Sequence, residues 1–228
     1  MLADIRQAFR GLIKTPSFTL VAVSVLAIGI GANTAVFTLL NTLLLRPLPY
    51  PNAGRLVFVG RSFTEGFGNS VSIPKFNVWK KASSAIEHMA AYDFGGPGLN
   101  LRSSDLPELV KAIHVSAEYF QLFGATPAQG RTFSPEEDQP GGPKVAVISD
   151  GLWKRVFGGA QEIVGKAVKL GDDSYTIIGV LRPAFHPEPE ADVWLPLQPD
   201  PNSTNQGHYL LIGAMLKPGV TLDAPMPN

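Results

Sequence analysis

Four side chains able to ligate a metal, His186, Glu188, Glu190 and Asp192, fall within seven residues of this sequence. Pro187 and Pro189 hold that stretch extended, where close neighbours need not converge. A zinc site needs three or four ligands in fixed geometry with supporting partners, so the stretch reads as a solvated acidic loop. Ser149 stands between an apolar run and a helix-like run, as a hydrolase nucleophile would. Position 147 is Val, however, so the G-x-S-x-G elbow lacks its first glycine, and Ser149 reads as a helix cap. A hydrolase would need Ser149, His114 and an Asp to converge within hydrogen-bond reach from distant positions. Glu136, Glu137 and Asp138 follow Ser134-Pro135, a capping signature, and read as charge favoured at a helix start. A carboxylate-pair hydrolase would need such groups facing each other across a cleft. His88, His114 and His208 share no spacing. Trp79, Trp153 and Trp194 lie among apolar residues without interleaved cations, so they read as core or lobe-interface residues, with no nucleic-acid face. The chain reads as non-catalytic, with no cofactor and no metal.

Among the elements that would have to position these groups, the run from Thr15 to Leu45 decides the class. It contains 31 residues without Lys, Arg, Asp or Glu. A lipid core about 30 Å thick needs roughly 20 apolar residues in a helix, so a transmembrane helix is expected over residues 17–45. A cleaved secretory signal would have a shorter apolar region of about 7–15 residues. Arg6, Arg10 and Lys14 precede the run against a single acid, Asp4. That positive flank predicts a cytoplasmic N-terminus and translocation of everything after the span. Residues 1–16 read as a cytoplasmic amphipathic segment, with Leu2, Ile5, Phe9 and Ile13 at helical spacing for the membrane lipid surface. Within the span, Ala27, Gly31 and Ala35 recur every four residues and Asn33 is polar, so these four are the candidate helix–helix packing residues.

Residues 46–228 form the translocated body. It carries 16 Lys plus Arg against 18 Asp plus Glu, so no basic stripe marks a nucleic-acid partner. No cysteine is present, which excludes disulfides and thiolate metal sites. Strands are expected at 55–60, 89–92, 109–115, 145–148, 166–170, 175–180, 192–197 and 208–216. In the 109–115 strand, Leu109, Lys111, Ile113 and Val115 should share one face. Helices are expected after Ser72, Ser116, Ser134 and Ser149. This is an α+β body, a mixed α/β core domain in two lobes.

Three groups of segments carry a resemblance. One is SFTLVAVSVLAIGIGANTAVFTLLNTLLLRPLPYP, residues 17–51. Another is FQLFGATPAQGRTF, residues 120–133, with PEED at 135–138. The third joins VAVISDGLWKRVFGG (145–159), YTIIGV (175–180), ADVWLPL (191–197) and LKPGVTL (216–222). In this order they resemble permeases of the MacB-like/FtsX-like ABC transporter class. The resemblance implies one N-terminal spanning helix, a periplasmic core domain and three further helices in the bacterial inner membrane. It also implies mechanotransmission: a cytoplasmic ABC ATPase drives the periplasmic domain through the first helix. The implied partners are that ATPase, a second permease copy or the remaining permease helices, and a periplasmic adaptor. The sequence stops soon after Leu222 and has no Walker A motif, so the expectation is a truncated or split permease whose core domain is incomplete at its C-terminus. The alternative expectation is a membrane-tethered binding module. Its recognition surfaces would be a Pro-rich loop (183–201) and a Gly-rich loop (66–98).

Overall fold

All four residues of the Val145–Ile148 run are buried, because the strand they form lies deep in a sheet covered on both faces. The computed structural model describes residues 14–41, 50, 52–64, 66–102, 107–185 and 189–220. They form α1 (Pro16–Leu40), β1 (Leu56–Val59), β2 (Arg61–Phe63), β3 (Gly66–Gly68), β4 (Ser70–Val71), α2 (Ile73–Ala82) and β5 (Ile86–Asp93). Next come β6 (Leu99–Arg102), β7 (Glu108–Val110), β8 (Ala112–Val115), α3 (Tyr119–Leu122), β9 (Pro127–Gly130), β10 (Val145–Ile148) and α4 (Asp150–Phe157). The last are β11 (Ala167–Leu170), β12 (Asp173–Leu181), β13 (Val193–Pro196) and β14 (Leu210–Leu216). The chain divides into two compact units, Met1–Pro49 and Tyr50–Asn228.

In the second unit the main sheet runs β1-β14-β5-β8-β13-β10-β12-β11-β6-β7, with β4 also on β14 and β9 also on β12. β10 with β12 and β13 with β8 are parallel, and the other pairs are antiparallel. Alternate residues feed opposite faces. One face holds an aromatic core of Tyr92, Tyr119, Phe120, Phe123, Phe133 and Trp194, with α3 packed on it. Its rings meet edge-on, with Phe120 and Phe133 centroids 5.1 Å apart and Tyr92 and Tyr119 5.3 Å apart. Such pairs add about 0.5–1.5 kcal/mol each beyond area burial. The other face carries α2 over β1, β4, β5 and β14, through Phe76 and Val71. It carries α4 over the half around β10 and β12, through Leu152 and Ile163. Glycine allows two close approaches. A Cβ on Gly213 would meet the Leu122 and Phe123 side chains at 2.9 and 3.0 Å, so α3 rests directly on β14. A Cβ on Gly179 would collide with the Arg131 carbonyl, so the chain leaving β9 lies against β12.

The structure corrects several expectations. The 109–115 strand is broken at Lys111, whose carbonyl takes the N–H groups of Asp192 and Val193. Its two pieces pair with different neighbours, so Leu109 is exposed while Val110, Ala112, Ile113 and Val115 are buried. Ser116 does not cap a helix. Its Oγ accepts the Ala91 N–H at 3.1 Å, and the helix shortens to α3. The capping signature at Ser134 makes turns, although the Ser134 N–H still donates to Glu137 Oε2 at 2.9 Å. The 66–98 stretch is not a loop: it contains β3, β4, α2 and β5. The hairpin of β2 and β3, together with β4, β6 and β9, has no counterpart among the expected strands: β6 alternates but spans only four residues, and the others lack apolar alternation.

Candidate functional site

The membrane-type helix is built as lipid requires. In α1 none of the 25 residues is buried, and twelve large apolar side chains from Phe18 to Leu40 are exposed. At about 1.5–3 kcal/mol each, leaving them in water would cost more than the whole stability of a typical domain, about 5–15 kcal/mol. The helix is long and apolar enough to cross a membrane. Its three threonine hydroxyls are satisfied internally: Thr19 Oγ1 donates to the Thr15 carbonyl at 3.0 Å, Thr34 Oγ1 to the Ile30 carbonyl at 2.8 Å and Thr38 Oγ1 to the Thr34 carbonyl at 2.7 Å. Ala27, Gly31 and Ala35 fall on one stripe, and the space beside Gly31 is open. Asn33 lies about 200° around the helix from Gly31 at 100° per residue, so the four candidates occupy two opposite sides. Lys14 is exposed just ahead of α1, while Arg6 and Arg10 lie outside the described residues.

In the body, the hydrolase residues do not assemble. Ser149 Oγ accepts the Leu152 N–H at 3.0 Å and caps α4, which Gly158 ends in the left-handed conformation. His114 does hold an acid, with Nδ1 2.8 Å from Asp93 Oδ2. It is level with Leu195 of β13, whereas Ile148, just before Ser149, is level with Val193. At about 3.3 Å per residue and 4.8 Å per strand, Ser149 and His114 stand more than about 10 Å apart. Of the acidic loop, His186 and Glu188 lie outside the described residues. Glu190 pairs with Lys111 at 3.0 Å, and Asp192 takes the Lys111 N–H and Arg155. Trp194 is fully buried, Trp79 and Trp153 pack against the cores of the opposite face, and Trp153 Nε1 donates to the Ala160 carbonyl at 2.9 Å.

The body also contains a polar clasp that no local motif announces. Arg131 holds Glu137 through two bonds of 2.7 Å, which lowers the Glu137 pKa. Asp138 is buried and accepts the Ala117 N–H at 3.0 Å and the Gln198 N–H at 2.7 Å. Gln198 adopts a left-handed φ of 48° and returns its side-chain amide to the Glu137 carbonyl at 3.0 Å. Burial pushes the Asp138 carboxyl up to about 6; the Glu118 charge adds to that, while the two N–H donors and Lys80 oppose it. The partners lie 21 and 60 residues away, so only the crowding of three consecutive acids hinted at the site.

Among the cavities that open on the body are two of similar size. One, of about 490 Å³, sits where β10 and β12 end, with Lys111, Arg155, Arg182, Asp150 and Asp192 in its wall. The other, of about 520 Å³, is apolar and lined by Phe58, Phe67, Phe94, Leu211, Asn69 and Pro189.

A family model described as the MacB-like periplasmic core domain matches residues 19–225. The macrolide export ATP-binding/permease protein MacB of Escherichia coli K12 is 29% identical over 101 residues, which are 43% of this chain and 15% of that protein. MacB of Shigella flexneri aligns with the same figures. The aligned part of the chain thus spans about a seventh of these relatives. Among solved structures, a domain of a permease protein from Porphyromonas gingivalis superposes with a TM-score of 0.60 at 18% identity, covering 75% of this chain and 79% of that one. The periplasmic region of MacB from Actinobacillus actinomycetemcomitans gives 0.54 at 15% identity, covering 73% and 76%. The extracellular domain of the ABC-type transporter YknZ from Gram-positive bacteria gives 0.52 at 17%, covering 72% and 83%. At these identities the structural matches speak for the fold.

Proposed function

The chain belongs to the family of MacB-like periplasmic core domains, and on that premise we propose that it acts as a non-catalytic permease component of an ABC export complex. In this reading a cytoplasmic ABC ATPase moves the periplasmic domain through α1. The observation that carries it is a 25-residue helix with no buried residue, ahead in sequence of a body of the core-domain fold. The positive flank of Arg6, Arg10 and Lys14 favours a cytoplasmic N-terminus in the inner membrane. Ala27, Gly31 and Ala35 form the face on which a second permease copy or further permease helices pack, and Asn33 supplies a hydrogen bond on the other side. A periplasmic adaptor and membrane lipid complete the partners. Affinity purification of the full chain from membranes in mild detergent tests the reading. Co-purification of an ABC ATPase subunit is expected, and recovery of the chain alone overturns it.

A second reading, a membrane-tethered binding module, is favoured by the apolar cavity. Phe67, Asn69 and Phe94 meet Pro189 there, so the two stretches read as recognition surfaces share one groove. Titrating the full chain in lipid discs with uncharged apolar peptides, read by quenching of a solvatochromic dye in that groove, distinguishes this reading. Saturable binding supports it, and no binding up to millimolar peptide removes it.

A further inference from the structure

We propose that Asp138 and Glu118 form a proton-sensitive clasp, which tightens the junction of α3, the 131–142 connection and the exit of β13 as the surroundings acidify. The geometry is that of a negative charge held without enough compensation. Asp138 bonds the backbone of Ala117 and of Gln198, so one carboxylate ties three separate segments together. Glu118 follows Ala117 directly. Its Oε1 accepts from Lys80 Nζ at 2.6 Å, but its Oε2 is buried with no donor.

Among the described residues, α2 presents Lys80 to Asp138, and that ammonium is already committed to Glu118. The segment ahead of α3 presents Glu118 itself. On the turn that carries Asp138, Glu137 is neutralised by Arg131, while Glu136 lies in solvent beside Ser134. The exit of β13 presents Gln198, which is uncharged. One part-exposed ammonium therefore serves two carboxylates, of which Asp138 is the buried one, and a proton is the remaining means of balance there.

The direction follows from linkage. The Asp138 carboxyl titrates near 6 in the closed clasp and from 3.8 when released. Burial and the Glu118 charge outweigh the two amide bonds, so the closed form binds the proton more tightly than the open chain. Closure is thus favoured as pH falls from 7 toward 4, and that gain is lost as pH rises through about 6.

The test is hydrogen exchange of the Ala117 and Gln198 amides in the full chain in lipid discs. Rates are corrected for intrinsic chemistry and taken where exchange reports the opening equilibrium. Opening should be about tenfold less frequent at pH 5 than at pH 7. Asp138→Asn should abolish that difference, and Glu118→Gln should move its midpoint to lower pH. Equal opening at the two pH values, more opening at pH 5, or an undiminished difference in Asp138→Asn overturns the proposal. Should Asp138→Asn fail to fold, Glu118→Gln decides, since an unchanged midpoint overturns it equally.

Discussion

Isoleucine and leucine behave in opposite ways in the two units of this chain. In α1, Ile28 is 71% exposed and Leu20 70%, on a helix in which no residue is buried. In the body, Ile113 is 1% exposed and Leu152 fully buried, each packed into a continuous cluster on a face of the sheet. α1 pairs its backbone within one helix and the body pairs its own in a sheet, but the helix expects hydrocarbon to supply the apolar surroundings and the body supplies them from its own residues. The same side chain therefore serves insertion in one unit and folding in the other.

Substitutions can break that contrast from either side. Trp194→Ala has the largest expected effect, about 3–5 kcal/mol of body stability, because it empties the centre of the aromatic core. Chemical denaturation of the chain in detergent should report that loss, while carbonate washing still leaves the chain in membranes. Ile28→Arg should do the reverse, weakening membrane insertion by about 2.5–3.5 kcal/mol. Carbonate should then extract the chain, while the body keeps its melting temperature; a body that unfolds with this variant would mean that the units are not independent. Ser149→Ala sharpens the comparison at its low end. Loss of the α4 cap should cost about 1 kcal/mol of body stability and leave the membrane fraction unchanged. A much larger loss, or a change in any transport function, would restore a chemical role to that hydroxyl.

Features with local causes are legible in the sequence. The span is visible as an uncharged run, β10 as a short apolar block, and α4 by its Ser149 and Gly158 bounds. The hairpin of β11 and β12 follows from alternation around Gly171-Asp172. Features with distant causes are not. The break at Lys111 depends on Asp192, and the fate of Ser116 depends on the Ala91 amide. Glu137 meets Arg131, just past the end of β9, instead of a helix start, and Asp138 meets amides 21 and 60 residues away.

By itself, then, the sequence determined the apolar rod, its positive flank, most strand-forming segments and the α4 cap, because these depend on periodicity and neighbours within a few residues. Tertiary structure alone decided which strands adjoin, which face each aromatic occupies and where the buried acid lies. Those outcomes depend on long-range pairing, and a carboxylate's environment is set by the segments that close around it, which no local spacing records.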